Sequence, residues 1–157
     1  MDVYKINGQN RLSGKISVSG AKNSAVALIP ASILADSPVT IEGIPEISDA
    51  WTLKALLEEI GGTVHFEDNK MTIDPSSMKA IPLPNGNVKK LRASYYFMGA
   101  LLGKFKRVEM YFPGGCTIGA RPIDLHLKGF EQMGATITEE GDHFVIEAEQ
   151  LKGSNIY

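Results

Sequence analysis

The sequence has little cysteine, no marked excess of either charge and no long apolar run. Cys116 is the single cysteine, which excludes an internal disulfide framework and is typical of a reducing cytoplasm. With 16 basic and 18 acidic residues, the formal charge of −2 favours neither nucleic acid nor an anionic membrane as a partner. The longest largely apolar run, 25–35, contains Pro30 and is shorter than the roughly 20 residues of a membrane-spanning helix.

Metal-ligand spacing is missing as well. No two of His65, His126 and His143 stand at the spacing of a zinc site, so we predict no structural metal, and no motif indicates a cofactor. The first residues carry no signal-peptide pattern, which also favours a cytoplasmic protein. What is present is a sufficient core: 43% of the 157 residues are hydrophobic, which predicts one ordinary globular domain.

Two halves of the chain carry the same pattern on either side of a proline-rich connector, 75–87. Apolar residues at helical spacing end at Ile60-Gly61 in the first half and at Met133-Gly134 in the second, and two alternating strands follow each. We therefore predict an α/β (α+β) fold in which helix, strand, helix and hairpin occur twice. The predicted helices are 23–35, 53–60, 91–103 and 123–133, and the predicted strands are 39–41, 63–66, 71–73, 108–111, 136–138 and 144–147, with two earlier strands at 3–6 and 15–18.

Three local expectations accompany this pattern. Ser48 and Asp49 are residue types that cap a helix, so we expect them to cap the helix that follows. Pro30 should kink or break the first helix, because it lacks the N–H that a helix interior needs. Residues 155–157 read as a strand just beginning, from which we expect the chain to be cut within an element.

A glycine-rich segment, 112–124, places Cys116 ahead of an Arg-Pro helix start. Its glycines allow the backbone to approach a ligand closely, and Pro122 suits the first position of a helix. Arg121 would then lie where the helix dipole already favours an anion, and Asp124 could accept hydrogen bonds from a ligand base or simply favour the helix start. The pattern indicates a reactive thiol beside an anion site; a surface loop with an unpaired thiol is the alternative.

Two further predicted helix starts carry a cation. The segment 17–24 turns from a strand through glycine into a helix that opens with Lys22 and Asn23, a junction that presents N–H donors to an anion. It lacks the glycine spacing of a P-loop. Arg92 opens the corresponding helix of the second half, so both cations could face one anionic ligand if the halves pack side by side. The alternative is that both are solvated surface charges.

Together these motifs resemble the UDP-N-acetylglucosamine enolpyruvyl transferases over the whole chain. The resemblance implies that Lys22 and Asn23 belong to a phosphoenolpyruvate site and that Arg92 contacts the nucleotide sugar. It implies that Cys116 is the proton donor and the target of the antibiotic fosfomycin. The residues implied to line the uridine pocket are Arg121, Pro122, Ile123, Asp124 and Leu125.

The resemblance also implies a domain organisation. Residues 1–20 would belong to a discontinuous second domain, and 21–157 to part of a catalytic domain, an inside-out α/β barrel of βαβαββ units. Two of its three units would be present, 21–74 and 88–157, joined by the linker 75–87. The missing carboxy-terminal part of the same protein would supply an aspartate base and a further arginine, so the piece is expected to be inactive alone.

The implied reaction transfers enolpyruvyl from phosphoenolpyruvate to the 3-hydroxyl of UDP-N-acetylglucosamine and releases phosphate, without a cofactor. This is the first committed step of peptidoglycan synthesis in the cytoplasm, on which cell wall biogenesis, cell shape, the cell cycle and cell division depend. A 3-phosphoshikimate enolpyruvyl transferase is one alternative; it shares the fold but lacks the cysteine loop and the Arg-Pro-Ile-Asp run. A non-catalytic UDP-sugar binding module is the other.

Overall fold

The computed structural model describes residues 3–113 and 122–156, without the side chains of residues 85 and 90. In this part of the chain, helices pack against two antiparallel sheets of three strands each. The helices are α1 Lys22–Ala31, α2 Ser48–Glu59, α3 Asn85–Lys90, α4 Tyr96–Phe105 and α5 Asp124–Gln132, with 3-10 turns at Ser32–Leu34 and Arg92–Tyr95. The strands are β1 Val39–Glu42, β2 Thr63–Glu67, β3 Lys70–Asp74, β4 Arg107–Tyr111, β5 Thr136–Glu140 and β6 His143–Glu147.

The predicted duplication is confirmed in the two sheets. Their strand orders are β1-β3-β2 and β4-β6-β5, so the second strand of each hairpin is central. Ile73 lies between Val39 and Val64 in the first sheet, and the corresponding Ile146 lies between Val108 and Ile137 in the second. The α+β class is therefore confirmed. Each described unit has three strands, because no leading strand of a βαβαββ unit forms in the described residues.

Each hairpin connection contains two residues, fewer than the predicted strand bounds leave between the strands. Asp68 and Asn69 join β2 to β3 with φ of 49° and 57°, the left-handed conformation that a two-residue hairpin of this hand requires. Gly141 takes the same role in the second hairpin with φ of 67°. Asp, Asn and Gly are the residues that tolerate this conformation best, so the turn chemistry fixes the register of both hairpins.

The apolar spacing predicted for the second helix is confirmed in the first half, whereas α5 of the second half has Gly129 as its only buried residue. In α2 the side chains of Leu53, Leu56 and Leu57 are fully buried, and they share one core with Met71 and Ile73 of the central strand β3. Burying a side chain of this size stabilises the fold by about 1.5–3 kcal/mol. Because α1 packs against both α2 and α4, the cores of the two halves form a single cluster.

The structure differs from the expectations for Pro30 and for the cap of α2. The helix does not break at Pro30, which lies inside α1. After Ala31 it passes into a 3-10 turn, in which the Ser32 hydroxyl donates to the carbonyl of Ile29 at 2.7 Å. The predicted cap is wrong, because α2 begins at Ser48 itself and Ile47 stands at the cap position without a side-chain hydrogen bond.

The two strands predicted at 3–6 and 15–18 are wrong. Residues 3–20 form no helix or strand in the structure, and side chains such as Tyr4, Ile16 and Val18 are about nine-tenths exposed. Their alternating pattern suits a strand, but a strand persists only where a neighbour accepts and donates its backbone hydrogen bonds. None of the described strands pairs with either segment.

The sequence pattern missed α3, at the end of the predicted linker. Asparagine, glycine and a preceding proline make this segment look like a turn, yet Val88 is fully buried and the N–H of Leu83 donates to Glu109 in β4 at 2.9 Å. Lys89 also pairs with Asp142 at 2.9 Å, and this hydrogen bond lowers the pKa of the Asp142 carboxyl. These tertiary contacts override the weak local propensity. The next helix consequently opens at Arg92, as a 3-10 turn, and not at residue 91.

Gly61 and Gly134, which follow α2 and α5, provide a matched test of this packing. Both are left-handed, with φ of +98° and +96°, but a Cβ would lie 2.7 Å from the Ser77 carbonyl oxygen at Gly61 and 3.6 Å from that of Gln150 at Gly134. We expect Gly134→Ala to lower the free energy of unfolding by about 1–2 kcal/mol, the cost of the left-handed backbone. Gly61→Ala should cost at least about 1 kcal/mol more, because a backbone oxygen cannot move aside easily. Urea denaturation measures both; equal losses would contradict the close contact.

Candidate functional site

The start of α1 is held in place by a glycine contact. A Cβ at Gly20 would lie 1.7 Å from the carbonyl oxygen of Gly43, so no other residue fits there without moving the backbone. The α-helix begins two residues later, at Lys22, and its residues Ala25 and Val26 are buried. The predicted helix that opens with Lys22 and Asn23 is confirmed, although residues 15–21 form neither a strand nor a turn, and both of these side chains are exposed.

Lys22 is paired with a carboxylate from the neighbouring helix. Its Nζ lies 2.5 Å from Oδ2 of Asp49, which stands in the first turn of α2. The ion pair therefore joins the starts of α1 and α2. The sequence pattern did not predict this ion pair, because Asp49 was expected to cap the helix. The position of Asp49 near a helix start was the only sequence signal for such a contact.

The starts of α1 and α4 lie toward the same end of the structure. At the other end, Lys104 in the last turn of α4 donates to the carbonyl of Ala35 at 2.8 Å and pairs with Asp36 at 2.6 Å. A Cβ on Gly103 would lie 3.1 Å from Leu34. Because α1 and α4 also pack against each other, these contacts between the carboxyl end of α4 and the residues that follow α1 indicate that the two helices run in the same direction. Lys22 and Arg92, which open the two helical segments, are therefore at the same end.

Arg92 lines a cavity of about 310 Å³, together with residues from both described ends of the glycine-rich segment. Its guanidinium carbon lies 5.9 Å from the centre of the Tyr95 ring, within the range of a cation–π contact. The cavity brings Arg92 together with three other predicted residues and leaves Leu125 outside. The other lining residues are Phe112, Pro113, Pro122, Ile123, Asp124, Leu127 and Glu139.

The predicted residues Cys116 and Arg121 lie outside the described part of the chain. Pro113 and Pro122, the described residues next to that segment on either side, both line the Arg92 cavity. The roles of Cys116 and Arg121 remain predictions.

The aromatic residues beside Arg92 carry an unusual hydroxyl. The rings of Tyr95 and Tyr96 lie 4.4 Å apart, and that of His126 lies 5.1 Å from Tyr95. A hydrogen bond with Tyr96, together with partial burial, raises the pKa of the Tyr95 hydroxyl, while the charge of Arg92 acts in the opposite direction. The sequence pattern did not predict this pair of rings.

Other kinds of site find little support in the described residues. Within 3–113 and 122–156, no group of three or more His, Cys, Asp or Glu side chains is placed to hold a metal ion. No helix in the same ranges combines the length and the apolar character needed to cross a membrane. A larger cavity of about 780 Å³ lies beside Lys106 and Gly134, and its lining includes none of the predicted site residues.

Known proteins resemble this chain over nearly its whole length. The family model described as EPSP synthase (3-phosphoshikimate 1-carboxyvinyltransferase) matches residues 6–157. The chain is 61% identical to a UDP-N-acetylglucosamine 1-carboxyvinyltransferase 2 of Geobacillus kaustophilus (strain HTA426) and 60% identical to the one of Bacillus subtilis (strain 168). Both similarities cover 100% of this chain and 37% of the relative, so the chain spans little more than a third of these curated relatives.

Two solved structures share the fold. The enolpyruvyl transferase NikO from Streptomyces tendae superposes with a TM-score of 0.78 at 26% identity, over 92% of this chain and 32% of NikO. An EPSP synthase from Acinetobacter baumannii superposes with a TM-score of 0.59 at 22% identity, over 89% of this chain and 33% of that one. The second similarity bears on the fold alone.

Ile123 and Leu125, two residues of the run 121–125, differ in how far their side chains are buried. Ile123 is 7% exposed and Leu125 is 73% exposed. We expect Ile123→Ala to lower the free energy of unfolding by about 2–4 kcal/mol, because it leaves a cavity beside α5. Leu125→Ala should change it by no more than about 0.5 kcal/mol. Chemical denaturation of the two variants measures both values; a large loss at Leu125 would show that this side chain is packed after all.

Proposed function

The chain belongs to the EPSP synthase family, and from that premise we propose that it is part of an enzyme that transfers enolpyruvyl from phosphoenolpyruvate to the 3-hydroxyl of UDP-N-acetylglucosamine. The observation that carries the proposal is the identity of about 60% over the whole chain to relatives named UDP-N-acetylglucosamine 1-carboxyvinyltransferase 2. The reaction would serve peptidoglycan synthesis in the cytoplasm, and through it cell wall biogenesis, cell shape and division. The rest of the relatives' length would supply the remaining groups.

Lys22 and Asn23 are proposed to bind phosphoenolpyruvate. The proposal is supported by their position in the first turn of α1, where unpaired N–H groups and the helix dipole favour an anion. Arg92 is proposed to contact the nucleotide sugar. It lies at the same end of the structure as Lys22 and lines a cavity. Fixed positive charges in a site from which water is excluded stabilise developing negative charge by several kcal/mol.

The uridine pocket is proposed to be lined by Arg121, Pro122, Ile123, Asp124 and Leu125. Three of these residues line the Arg92 cavity, and the exposed Leu125 is available to a ligand. Asp124 opens α5 with an exposed side chain, so its carboxylate can accept hydrogen bonds from a base. The buried Ile123 would form the wall of the pocket.

Cys116 is proposed as the general acid. Protonation of the terminal enol carbon leaves positive character on the neighbouring carbon, which the sugar hydroxyl attacks while it loses its proton to a base. Loss of phosphate, together with a proton from the newly formed methyl group that a base accepts, then regenerates the double bond. The identity of about 60% to the named relatives supports the assignment. A cation beside a thiol favours its thiolate form, and in that form the same sulfur would add to phosphoenolpyruvate or react with fosfomycin.

The second candidate is the transfer of enolpyruvyl to 3-phosphoshikimate, the activity after which the matching family model is described. Phosphate release by the full-length protein, with phosphoenolpyruvate and either acceptor, distinguishes the two. We expect release with UDP-N-acetylglucosamine alone. Release with 3-phosphoshikimate would favour the second candidate, and calorimetric binding of the UDP-sugar without release would favour a non-catalytic binding module.

A pair of substitutions at Cys116 tests the role of the thiol. Cys116→Asp should keep turnover within about tenfold, because a carboxylic acid also donates a proton, while Cys116→Ala should lose about 10²–10⁴-fold in kcat. Neither variant should be alkylated by fosfomycin at position 116, which mass spectrometry of the full-length protein measures. Equal activity in the aspartate and alanine variants would contradict the proton-donor role.

A further inference from the structure

We propose that Asp49 is a positioning residue that holds the ammonium group of Lys22 in place for phosphoenolpyruvate; the inference rests on the proposed function. The ion pair of 2.5 Å joins the first turns of two helices that are far apart in sequence. Nothing in the family resemblance assigned a role to Asp49. Its partner is the residue proposed to bind the anion, so its effect should be felt there.

The carboxylate is the rigid member of the pair. Asp49 is followed in α2 by Ala50, which is 1% exposed, and by Trp51, whose ring packs on Phe66 at 4.8 Å between ring centres. The fully buried Leu53 anchors the next turn. An acidic side chain is also favoured in a first turn by the helix dipole. The position of Asp49 is therefore fixed by the core of the first half, whether or not a ligand is bound.

Lys22 is the flexible member. Its side chain is 57% exposed, compared with 22% for Asp49, and four rotatable bonds give it a large rotamer entropy. An ammonium group has three N–H donors. One contact with Asp49 leaves donors for ligand oxygens and restricts the directions in which they point, so less order has to be created when the anion binds.

The second half repeats the arrangement. Arg92 opens the 3-10 turn that leads into α4, Asp124 opens α5, and both line one cavity. In each half, then, a cation at a helix start lies near an acidic residue in the first turn of a later helix, as an ion pair in the first half and on the lining of one cavity in the second. This recurrence supports a site-building role for Asp49 over an incidental surface contact.

Asp49 could affect phosphoenolpyruvate binding in two ways, and the two predict opposite changes in affinity when the carboxylate is removed. If the carboxylate mainly repelled the anionic ligand, its removal would tighten binding. If it mainly positions Lys22, its removal weakens binding. Because exposed ion pairs are weak, we expect Asp49→Asn to raise the KM for phosphoenolpyruvate about two- to fivefold and to leave the KM for UDP-N-acetylglucosamine unchanged. Asp49→Glu, which keeps the charge, should recover part of this loss.

A double-mutant cycle in the full-length protein tests whether Asp49 acts through Lys22. The dissociation constant of phosphoenolpyruvate is measured by calorimetry for the wild type, Asp49→Asn, Lys22→Met and the double variant. Asp49→Asn should have no further effect once Lys22 is replaced. Glu58→Gln is the matched control, since it removes the carboxylate of another lysine ion pair, with Lys54, from the same helix; it should leave the constant unchanged.

The outcomes are distinct. Tighter binding by Asp49→Asn, or an equal loss from it with and without Lys22, overturns the positioning role while leaving the proposed function intact. A rise in both KM values that follows a fall in the denaturation midpoint also overturns it, because it indicates a general structural effect. Failure of the wild-type protein to bind phosphoenolpyruvate overturns the proposed function itself.

Discussion

The packing of α1 against α4 is the constraint on which the site depends. Each helical segment opens with a cation, and each lies in a different half of the chain. The halves share one core in which Ile29 of α1 and Phe97 of α4 are fully buried. Lys104 holds the last turns together through Ala35 and Asp36. Apolar burial provides most of this contact energy, and the common direction of the two helices places Lys22 and Arg92 at the same end of the structure.

Electrostatic features follow from that arrangement. Helix starts present N–H groups without intrahelical partners. Here the starts of α1 and α2 are joined by the ion pair between Lys22 and Asp49. Pro113, Pro122 and Asp124 line the Arg92 cavity. Positive charge and acceptor groups are thus gathered by the fold, although no local sequence motif contains them all.

Much of the fold could be predicted because its signals are local. The 3.6-residue spacing of Leu53, Leu56 and Leu57 and the glycines after α2 and α5 predicted the helices, and alternation with Asp, Asn or Gly turns predicted the hairpins. Residues 3–20 could not be predicted in the same way, since a strand depends on a neighbour that the pattern does not contain. The buried Val88 shows the converse, a short helix made by tertiary contacts. The Lys22–Asp49 pair likewise depends on how two helices pack.

If α1 and α4 run in the same direction, their starts lie side by side. Double electron–electron resonance tests this by measuring the distance between spin labels at positions 22 and 92, and separately at 36 and 104, in a Cys116→Ser background. Parallel helices predict similar distances for the two pairs, because helices in contact are separated by about 8–10 Å between axes. A 22–92 distance longer than the 36–104 distance by about 15–20 Å, the length of such a helix, would contradict it.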